Sequence, residues 1–274
     1  MHYCIFTASF ANNVTYYYHQ LPPIIIKHFF TPFFLGGLVL AASAAQAQVH
    51  FRIGPQVGYT LSSASFSVAD YPDYFTPTGS YRSGFAAGLV AQLGLTDHLR
   101  LQPALLYARK APGVTISSYY QPNNYYYFDE YTFQFNYLTL PVNLLYSQRA
   151  NGQGGQVFLG PYLGWLLGGT YTHGARAGYG SAITGGVTYS GNVAAGDTYA
   201  TGARDSNYYS RRLDAGLQAG IGYGFAALQL QATFSLGLRN IGAAYAPTVN
   251  NTYEAPVIRN RSFQLSAAYL FGPN

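Results

Sequence analysis

The sequence from Arg211 to Arg239 reads RRLDAGLQAGIGYGFAALQLQATFSLGLR, and its apolar and polar residues alternate almost without interruption. The second half places leucine, alanine and phenylalanine between glutamine, threonine, serine and glycine. Because successive side chains of a β-strand point to opposite faces, alternation with a period of two predicts a strand. The first half alternates in the same way, so the two halves predict a hairpin joined through Gly224, Phe225 and Ala226.

The polar face of this hairpin carries small uncharged groups rather than lysine and glutamate. A soluble barrel or sandwich also alternates, but it needs charged residues on the face that meets water. Glycine, glutamine, serine and threonine suit the interior of a narrow barrel, which leaves leucine, phenylalanine, alanine and tyrosine to face lipid. Only 8% of the 274 residues are charged, against about 25% in ordinary globular domains. We therefore expect a transmembrane β-barrel, with a soluble periplasmic barrel as the structural alternative.

The same alternation recurs along the chain and predicts eight strands in all. The other six expected strands are 51–62, 84–95, 99–108, 131–146, 157–167 and 262–271. Long and short connections alternate between the eight strands, as they do in outer-membrane barrels. The predicted fold is therefore an all-β, eight-stranded, antiparallel up-and-down transmembrane β-barrel with short periplasmic turns and long extracellular loops.

Three local features modify the strand pattern. Pro55 lies inside the first strand and predicts a local bulge or a missing ladder bond. In the fourth strand the apolar residues occupy odd positions up to Tyr137 and even positions from Leu138. This change predicts a β-bulge, although a longer strand that leaves the membrane would give the same pattern. The stretch from Thr172 to about Ser210 predicts the longest irregular loop, on the outside of the barrel.

The N-terminal part of the chain has the pattern of an export signal. An apolar run at 29–42 follows Lys27 and precedes small residues at 45 and 47. This arrangement predicts a secretory signal peptide that is cleaved after Ala47. Residues 1–47 are then an N-terminal extension and signal peptide, and residues 48–274 form the barrel domain. Cys4, the only cysteine, lies in the leader, so the expected mature chain can form neither a disulfide nor a thiolate metal site.

Short motifs on five of the predicted strands point to a known family. They are G-x-x-x-G-Y at 54–59, Y-L-x-L-P at 137–141, L-G-P-Y at 159–162, D-x-G at 214–216 and G-L-x-N-I at 237–241. Together with a final aromatic strand, they resemble the Bacteroidetes outer-membrane β-barrel family that is labelled porin-like or PorT-like. The resemblance covers the chain from about Gln48 to Phe271.

This resemblance implies an outer-membrane location and insertion through the barrel-assembly machinery. Tyr269 and Phe271 are the implied recognition signal for insertion, although Gly272, Pro273 and Asn274 follow here, whereas many barrels end on the aromatic residue. One group within the family takes part in type IX protein secretion, and no feature of this sequence singles that role out.

The sequence predicts no catalytic, cofactor or metal site. The histidines of the expected mature chain, His50, His98 and His173, lie at a strand start, in a turn and in an outer loop. His173 leaves open a rim-bound lipid-modifying enzyme, whose serine would have to come from another strand. The glycines at 220–224 lie on the lumen face of a strand with no helix after it, so crowding inside the barrel explains them better than nucleotide binding. The net charge of +5 is too diffuse to indicate nucleic acid.

Charged and aromatic residues have expected positions in such a barrel. The charged residues expected in the lumen are Arg52, Arg100, Asp214 and Arg239. Because buried charges must be paired or hydrated, at least one arginine is expected to bridge to Asp214. Aromatic residues near the strand ends predict two girdles at the membrane interfaces. They include Tyr107, Tyr131 and Trp165 toward the outer side and Tyr146 and Tyr223 toward the inner side.

Taken together, these patterns predict a non-enzymatic outer-membrane barrel with a side-chain-filled lumen. It would contribute to envelope structure or, through its tyrosine-rich outer loops, to surface interaction. The expected partners are outer-membrane lipid, lipopolysaccharide and, during biogenesis, the barrel-assembly machinery; no cofactor is expected, and the chain is expected to be a monomer. The alternatives are a narrow porin-like channel for ions or small solutes, the rim-bound enzyme, and a component linked to type IX secretion.

Overall fold

The computed structural model describes residues 50–67, 75–120, 124–179, 182–199, 206–245 and 256–272. The predicted extension and signal peptide at 1–47 lie outside the described residues. No helix in the described ranges is long and apolar enough to cross a membrane.

The described residues form β-strands and one short 3₁₀ helix, Ala150–Gly152. The strands are β1 (Phe51–Ser67), β2 (Phe75–Ser80), β3 (Arg82–Gly94), β4 (Leu99–Lys110), β5 (Gly113–Tyr120), β6 (Tyr125–Ser147), β7 (Gly154–Tyr179), β8 (Ala182–Ala195), β9 (Thr198–Tyr199), β10 (Tyr208–Ser210), β11 (Leu213–Phe225), β12 (Leu228–Gly237), β13 (Ala244–Tyr245) and β14 (Val257–Tyr269).

Eight of these strands close into an antiparallel ring. The order around the ring is β1, β3, β4, β6, β7, β11, β12 and β14, and β14 pairs with β1 again. Each ring strand therefore pairs with the ring strands that precede and follow it along the chain, which is the up-and-down topology. The eight-stranded antiparallel barrel predicted from the alternation is confirmed.

The two ends of the barrel differ in their connections. Short turns at 95–98, 148–153 and 226–227 lie at one end, together with the start of β1 and the end of β14. The long connections, which contain β2, β5, β8, β9, β10 and β13, lie at the other end. We refer to these as the short-turn end and the long-connection end.

The described residues between Thr172 and Ser210 are largely β-strand and not the irregular loop that the sequence predicts. β7 continues to Tyr179, and β8 pairs with its extension in antiparallel register from Gly169 to Tyr179. Likewise β5 pairs with the start of β6. The sequence does not predict this pairing, because strands that extend beyond a barrel need not carry the regular apolar face by which strands are recognised. These segments are rich in glycine instead.

Toward the short-turn end, most side chains that point into the barrel are polar, and those that point outward are apolar. On β12, Gln229 is 2% exposed and Gln231 is 7% exposed, whereas Leu230 is 44% exposed. The other barrel strands also carry leucine, valine and phenylalanine on the outer surface, and a few buried apolar residues such as Val90, Leu106 and Leu145 lie among the inward polar groups. This is the arrangement of a transmembrane barrel, whose outward side chains meet lipid.

Glycines inside the barrel make room for aromatic rings on the neighbouring strand. Gly216 pairs with Tyr162, and Gly220 pairs with Phe158. A Cβ atom at Gly216 would meet the Leu236 carbonyl oxygen and the Tyr162 ring, and one at Gly220 would meet the Ala232 carbonyl oxygen and the Phe158 ring. The lumen-facing glycines of β11 are therefore explained by crowding, as expected for a narrow barrel.

The first strand is irregular at Pro55, as the sequence predicts. The ladder between β1 and β14 is interrupted at Gly54 and Pro55 and resumes in the same register as a bridge from Ile53 to Phe271. The predicted missing ladder bond at Pro55 is confirmed, since proline has no N–H to donate.

The predicted bulge in β6 is not the reason for its change of pattern. Odd-numbered residues of β6 stay on the inside from Phe133 to Ser147, so its side-chain alternation does not slip. A register shift does occur beside Tyr137, but the extra residue is Leu167 on β7, next to Gly168 with φ +136°. The inward positions of β6 therefore keep one parity along the strand, and what changes near Tyr137 is the type of residue at those positions.

Candidate functional site

Glutamine side chains fill the barrel interior toward the short-turn end. Gln102 donates to Gln231 Oε1 at 3.2 Å, and Gln229 donates to Gln156 Oε1 at 2.7 Å. Gln156 in turn donates to the carbonyl oxygen of Gly152 at 2.6 Å. These four glutamines, hereafter the amide network, connect β4, β7 and β12 across the lumen. Because their amide groups bond one another, they can be buried without leaving polar groups unsatisfied.

A buried ion pair lies next to the amide network, on its side toward the long-connection end. Lys110 Nζ is 3.0 Å from Asp214 Oδ2, and the two side chains are 8% and 0% exposed. Asn260 donates to the same carboxylate oxygen at 2.9 Å, and the Tyr162 hydroxyl donates to Asp214 Oδ1 at 3.3 Å. We term these four residues the charged cluster. The carboxylate is thus held by a cation and two neutral donors, the condition under which a buried charge is tolerated.

The structure corrects two expectations about charged residues. Asp214 is paired with Lys110 and not with an arginine, because the alternation of β4 continues past the predicted end of the strand. Arg239 does not lie in the lumen: β12 ends at Gly237, and Arg239 is exposed in the connection that follows. Arg52 and Arg100 do lie inside the barrel, near the short-turn end.

Apolar side chains close the interior above the charged cluster. The buried members of this aromatic layer are Val114, Ile116, Phe133, Phe135, Tyr137, Leu166 and Val193. Tyr131 packs against the layer and is only partly exposed. The expectation that Tyr131 belongs to a lipid-facing girdle is therefore wrong, because the odd positions of β6 face inward.

An aromatic cavity of about 280 Å³ lies on the far side of this layer, toward the long-connection end. Its walls include Tyr131, Phe133 and Phe135 of β6, and Tyr208 lies across from them. The three β6 rings form a nearly parallel row, with centroids 6.0 and 5.3 Å apart and interplanar angles of 6° and 11°. We name this cavity the outer pocket. Sequence reasoning missed it, although the aromatic residues at odd positions of β6 were its visible signal.

His173 supplies polar chemistry at the wall of the outer pocket. Its ring stacks on Tyr131 at 4.1 Å with an interplanar angle of 3°, and its Nε2 lies 2.7 Å from Asp129 Oδ1. Within the described ranges, no serine hydroxyl hydrogen-bonds the His173 ring, and no group of three or more histidine, cysteine or acidic residues could hold a metal ion. The arrangement can orient and stack a ligand.

The space left inside the barrel is small. A void of about 50 Å³ lies between the amide network and the charged cluster and is lined by residues of both. Such a void has room for a few water molecules at most. Three levels of side chains thus fill the interior between the short-turn end and the outer pocket.

Comparison with known proteins agrees with this architecture. The outer membrane protein β-barrel domain family matches residues 44–242. The chain belongs to this family. The protein is accordingly located in the outer membrane, with the short-turn end periplasmic and the long-connection end extracellular, as in other such barrels. No curated protein sequence is significantly similar to the chain.

Solved structures of outer-membrane barrels are similar over most of their length. Neisserial surface protein A is 13% identical, with 81% of this chain and 97% of that chain covered and a TM-score of 0.33. OprG from Pseudomonas aeruginosa is 8% identical, with 82% and 97% covered and a TM-score of 0.35. Ail, the attachment invasion locus protein of Yersinia pestis, is 11% identical, with 81% and 99% covered and a TM-score of 0.33.

The other aromatic residues that the sequence assigns to the girdles lie on the outer surface of the barrel. Tyr107 and Trp165 are exposed toward the extracellular side, and Tyr146 and Tyr223 are exposed toward the periplasmic side. The guanidinium of Arg212 lies over the Trp165 ring at 5.4 Å, which suits a membrane interface. Tyr269 and Phe271, the residues of the implied insertion signal, are also exposed and pack edge to face at 4.9 Å.

Proposed function

We propose that this protein is a non-enzymatic outer-membrane barrel with a closed lumen, which acts at the cell surface by binding a small planar aromatic molecule in the outer pocket. The observation that carries the proposal is the position of the pocket, which lies outside the layers that fill the barrel. A ligand could reach the pocket from the extracellular side without crossing the membrane.

The closed lumen argues for a binding role rather than a channel. The amide network, the charged cluster and the aromatic layer occupy successive levels of the interior. An ion would have to displace buried, hydrogen-bonded groups at two of these levels and packed rings at the third. Eight-stranded barrels have interiors that side chains can fill completely, so closure is the expected state.

The chemistry of the outer pocket favours a flat aromatic ligand. The row of parallel rings on β6 offers a face against which another ring can stack in the offset geometry that aromatic pairs prefer. His173 adds a polar atom at the wall, held in place by Asp129. A volume of about 280 Å³ fits a molecule with a fused pair of rings, since a cavity of about 150 Å³ holds benzene.

Ligand binding is tested with indole as the probe, by saturation-transfer NMR on the full chain in nonionic detergent. Phe133→Trp should fill the pocket and abolish the transfer signal. Phe234→Trp places the same ring on the lipid-facing surface, where Phe234 is exposed, and should leave the signal unchanged. Equal signals from the wild type and both variants would mean that indole binds to detergent or to the outer surface, and would overturn the proposal.

The closed lumen is tested separately in planar bilayers, with a general porin as the positive control. We expect no current above the bilayer background from the inserted wild-type barrel. Steady single-channel steps would contradict the closed lumen and favour a narrow channel. Ligand binding in the outer pocket is tested only by the indole experiment.

A further inference from the structure

The periplasmic end of the barrel interior concentrates positive charge. Arg52 on β1 and Gln92 on β3 are direct cross-strand partners, and Arg100 on β4 pairs with Gly94, two residues along from Gln92. All three side chains point inward: Arg52 is 2%, Gln92 is 1% and Arg100 is 2% exposed. The strands that carry Arg52 and Arg100 both pair with β3, so the two arginines lie at the same end of the lumen.

Among the described residues, neither arginine has an acidic partner. The ion pairs found among the described residues join Arg82 to Glu130, Lys110 to Asp214 and His173 to Asp129. Asp214, the buried acid of the charged cluster, is already engaged by Lys110. An arginine cannot lose its proton under ordinary conditions, so both groups stay charged inside the barrel.

Unsatisfied polar atoms, four N–H donors and the acceptor Gln92 Oε1, cluster at the same place. Seven buried side-chain nitrogen and oxygen atoms lack a hydrogen-bond partner in the part of the chain that the structure describes, and five of them belong to Arg52, Arg100 and Gln92. They are Arg52 Nε, Arg100 Nε and Nη1, and both amide atoms of Gln92. Arg52 has a partner on its other side, where Nη2 donates to the carbonyl oxygen of Ala226 at 2.5 Å.

The unsatisfied acceptor of this group, Gln92 Oε1, is neutral, so within the described residues it does not balance the charge of the two guanidinium groups. Water could accept from the free N–H groups, but it would not balance two buried like charges, whose burial is costly without a counter-ion. A guanidinium presents its N–H groups as a planar fork that matches an oxyanion with two parallel hydrogen bonds. The Gln92 amide adds a neutral N–H donor between the two arginines.

We propose that Arg52, Arg100 and Gln92 form a binding site for one phosphate or sulfate group at the periplasmic end of the lumen. The site lies at the opposite end of the barrel from the outer pocket and is independent of the function proposed there. The group could be a free ion of the periplasm or the headgroup of a lipid.

The test measures thermal unfolding of the full chain in nonionic detergent, titrated with sodium phosphate or with sodium chloride at equal ionic strength. Phosphate should raise the unfolding temperature in a saturable way, and chloride should not. Arg52→Gln and Arg100→Gln should each weaken phosphate binding at least about tenfold, the usual effect of losing a charged hydrogen-bond donor. Arg212→Gln, which removes an exposed arginine, should respond like the wild type. Equal responses to phosphate and chloride, or equal phosphate responses in the wild type and Arg52→Gln, would overturn the proposal.

Stability without phosphate separates anion binding from a structural role. In chloride alone, Arg52→Gln should unfold at the same temperature as the wild type or higher, because an uncompensated buried charge is gone. In phosphate it should unfold at a lower temperature than the wild type. If it is less stable by the same amount in both salts, Arg52 acts only through its bond to Ala226, and the proposal fails.

Two further arms complete the test. If Arg52→Gln does not fold, Arg100→Gln and Gln92→Met carry the same comparison. Wild-type protein in phosphatidylglycerol vesicles without phosphate identifies the source of the group: stabilisation that the arginine variants lose assigns a lipid headgroup, whereas stabilisation only by added phosphate assigns the free ion. No arginine-dependent effect in either arm would contradict the site.

Discussion

The periplasmic and extracellular halves of the barrel interior are built on the same strands but with opposite chemistry. On β6, Thr139, Asn143 and Ser147 face inward in the lower half, and Phe133 and Phe135 face inward in the upper half. All five are odd-numbered residues of a single uninterrupted strand. The position of a residue along a strand therefore determines whether its side chain points inward, but it does not determine whether the interior at that level is polar or apolar.

The outer face of β6 changes in the opposite sense at the same point. Leu138, Leu140 and Leu144 are exposed below Tyr137, whereas Gln134 and Asn136 occupy the same face above it. A strand in lipid is apolar outside, and a strand in water is polar outside, with its apolar residues packed within. We infer that β6 crosses the membrane boundary near Tyr137, and that both faces exchange their chemistry there.

The first way to break this comparison is to remove a charge from the charged cluster, at the level where the polar and aromatic parts of the interior meet. Lys110→Met leaves the Asp214 carboxylate buried without its cation, and it should lower the free energy of unfolding by about 3–5 kcal/mol. Urea unfolding in phospholipid vesicles measures the loss. The double variant Lys110→Met with Asp214→Leu should recover most of it.

Arg82→Met is the matched control for the charge. The Arg82–Glu130 pair is as close, at 2.6 Å, but its side chains are 40% and 44% exposed. Arg82→Met should lower the free energy of unfolding by less than about 1 kcal/mol. Equal effects of Lys110→Met and Arg82→Met would show that the lumen around Lys110 is as well hydrated as the surface.

The second change removes a ring from the upper half. Phe133→Ala deletes a buried side chain of the aromatic layer and leaves a cavity, with an expected cost of about 3 kcal/mol in the same unfolding experiment. Phe234→Ala on the lipid-facing surface loses the same atoms but leaves no cavity, because lipid can fill the space. If the lipid-facing change were as costly as the interior one, the aromatic layer would not be a packed core.

The third change tests the boundary on the outer face of β6. Leu140→Arg places a charge on the lipid-facing side of β6 between Tyr137 and Tyr146 and should cost about 2–4 kcal/mol, the range for arginine at the middle of the bilayer. Asn136→Arg lies on the same face above Tyr137 and should cost less than about 1 kcal/mol. Similar costs at both positions would move the boundary away from Tyr137.

The smallest effect is expected within the amide network. Gln102→Leu removes one neutral hydrogen-bond partner of Gln229 and Gln231, and it should cost about 1 kcal/mol, the usual value for such a bond. Gln148→Leu, exposed in a periplasmic turn, should be neutral and serves as the control. A cost above that of Phe133→Ala would contradict the ranking, because the polar level would then hold the barrel more strongly than the packed rings.

Several features of the site were within reach of the sequence, and others were not. The inward positions of Arg52, Arg100 and Asp214 follow from the parity of three strands. Lys110 obeys the same parity, but the predicted strand stops before it. The partners within the charged cluster could not be predicted, because Lys110, Asp214 and Asn260 lie on strands far apart in the chain. The stacking of His173 on Tyr131 likewise depends on the extended pairing of β6 with β7.

The sequence by itself determined the number of strands in the closed barrel, the alternation of short and long connections, and the lipid-facing surface, because each depends on a period of two along one segment. The tertiary structure alone decided which inward groups meet: the Lys110–Asp214 pair, the two unpaired arginines and the aromatic layer beneath the outer pocket. The physical reason is that direction from a strand is a local property of the backbone, whereas pairing and burial depend on which strands face each other across the closed barrel.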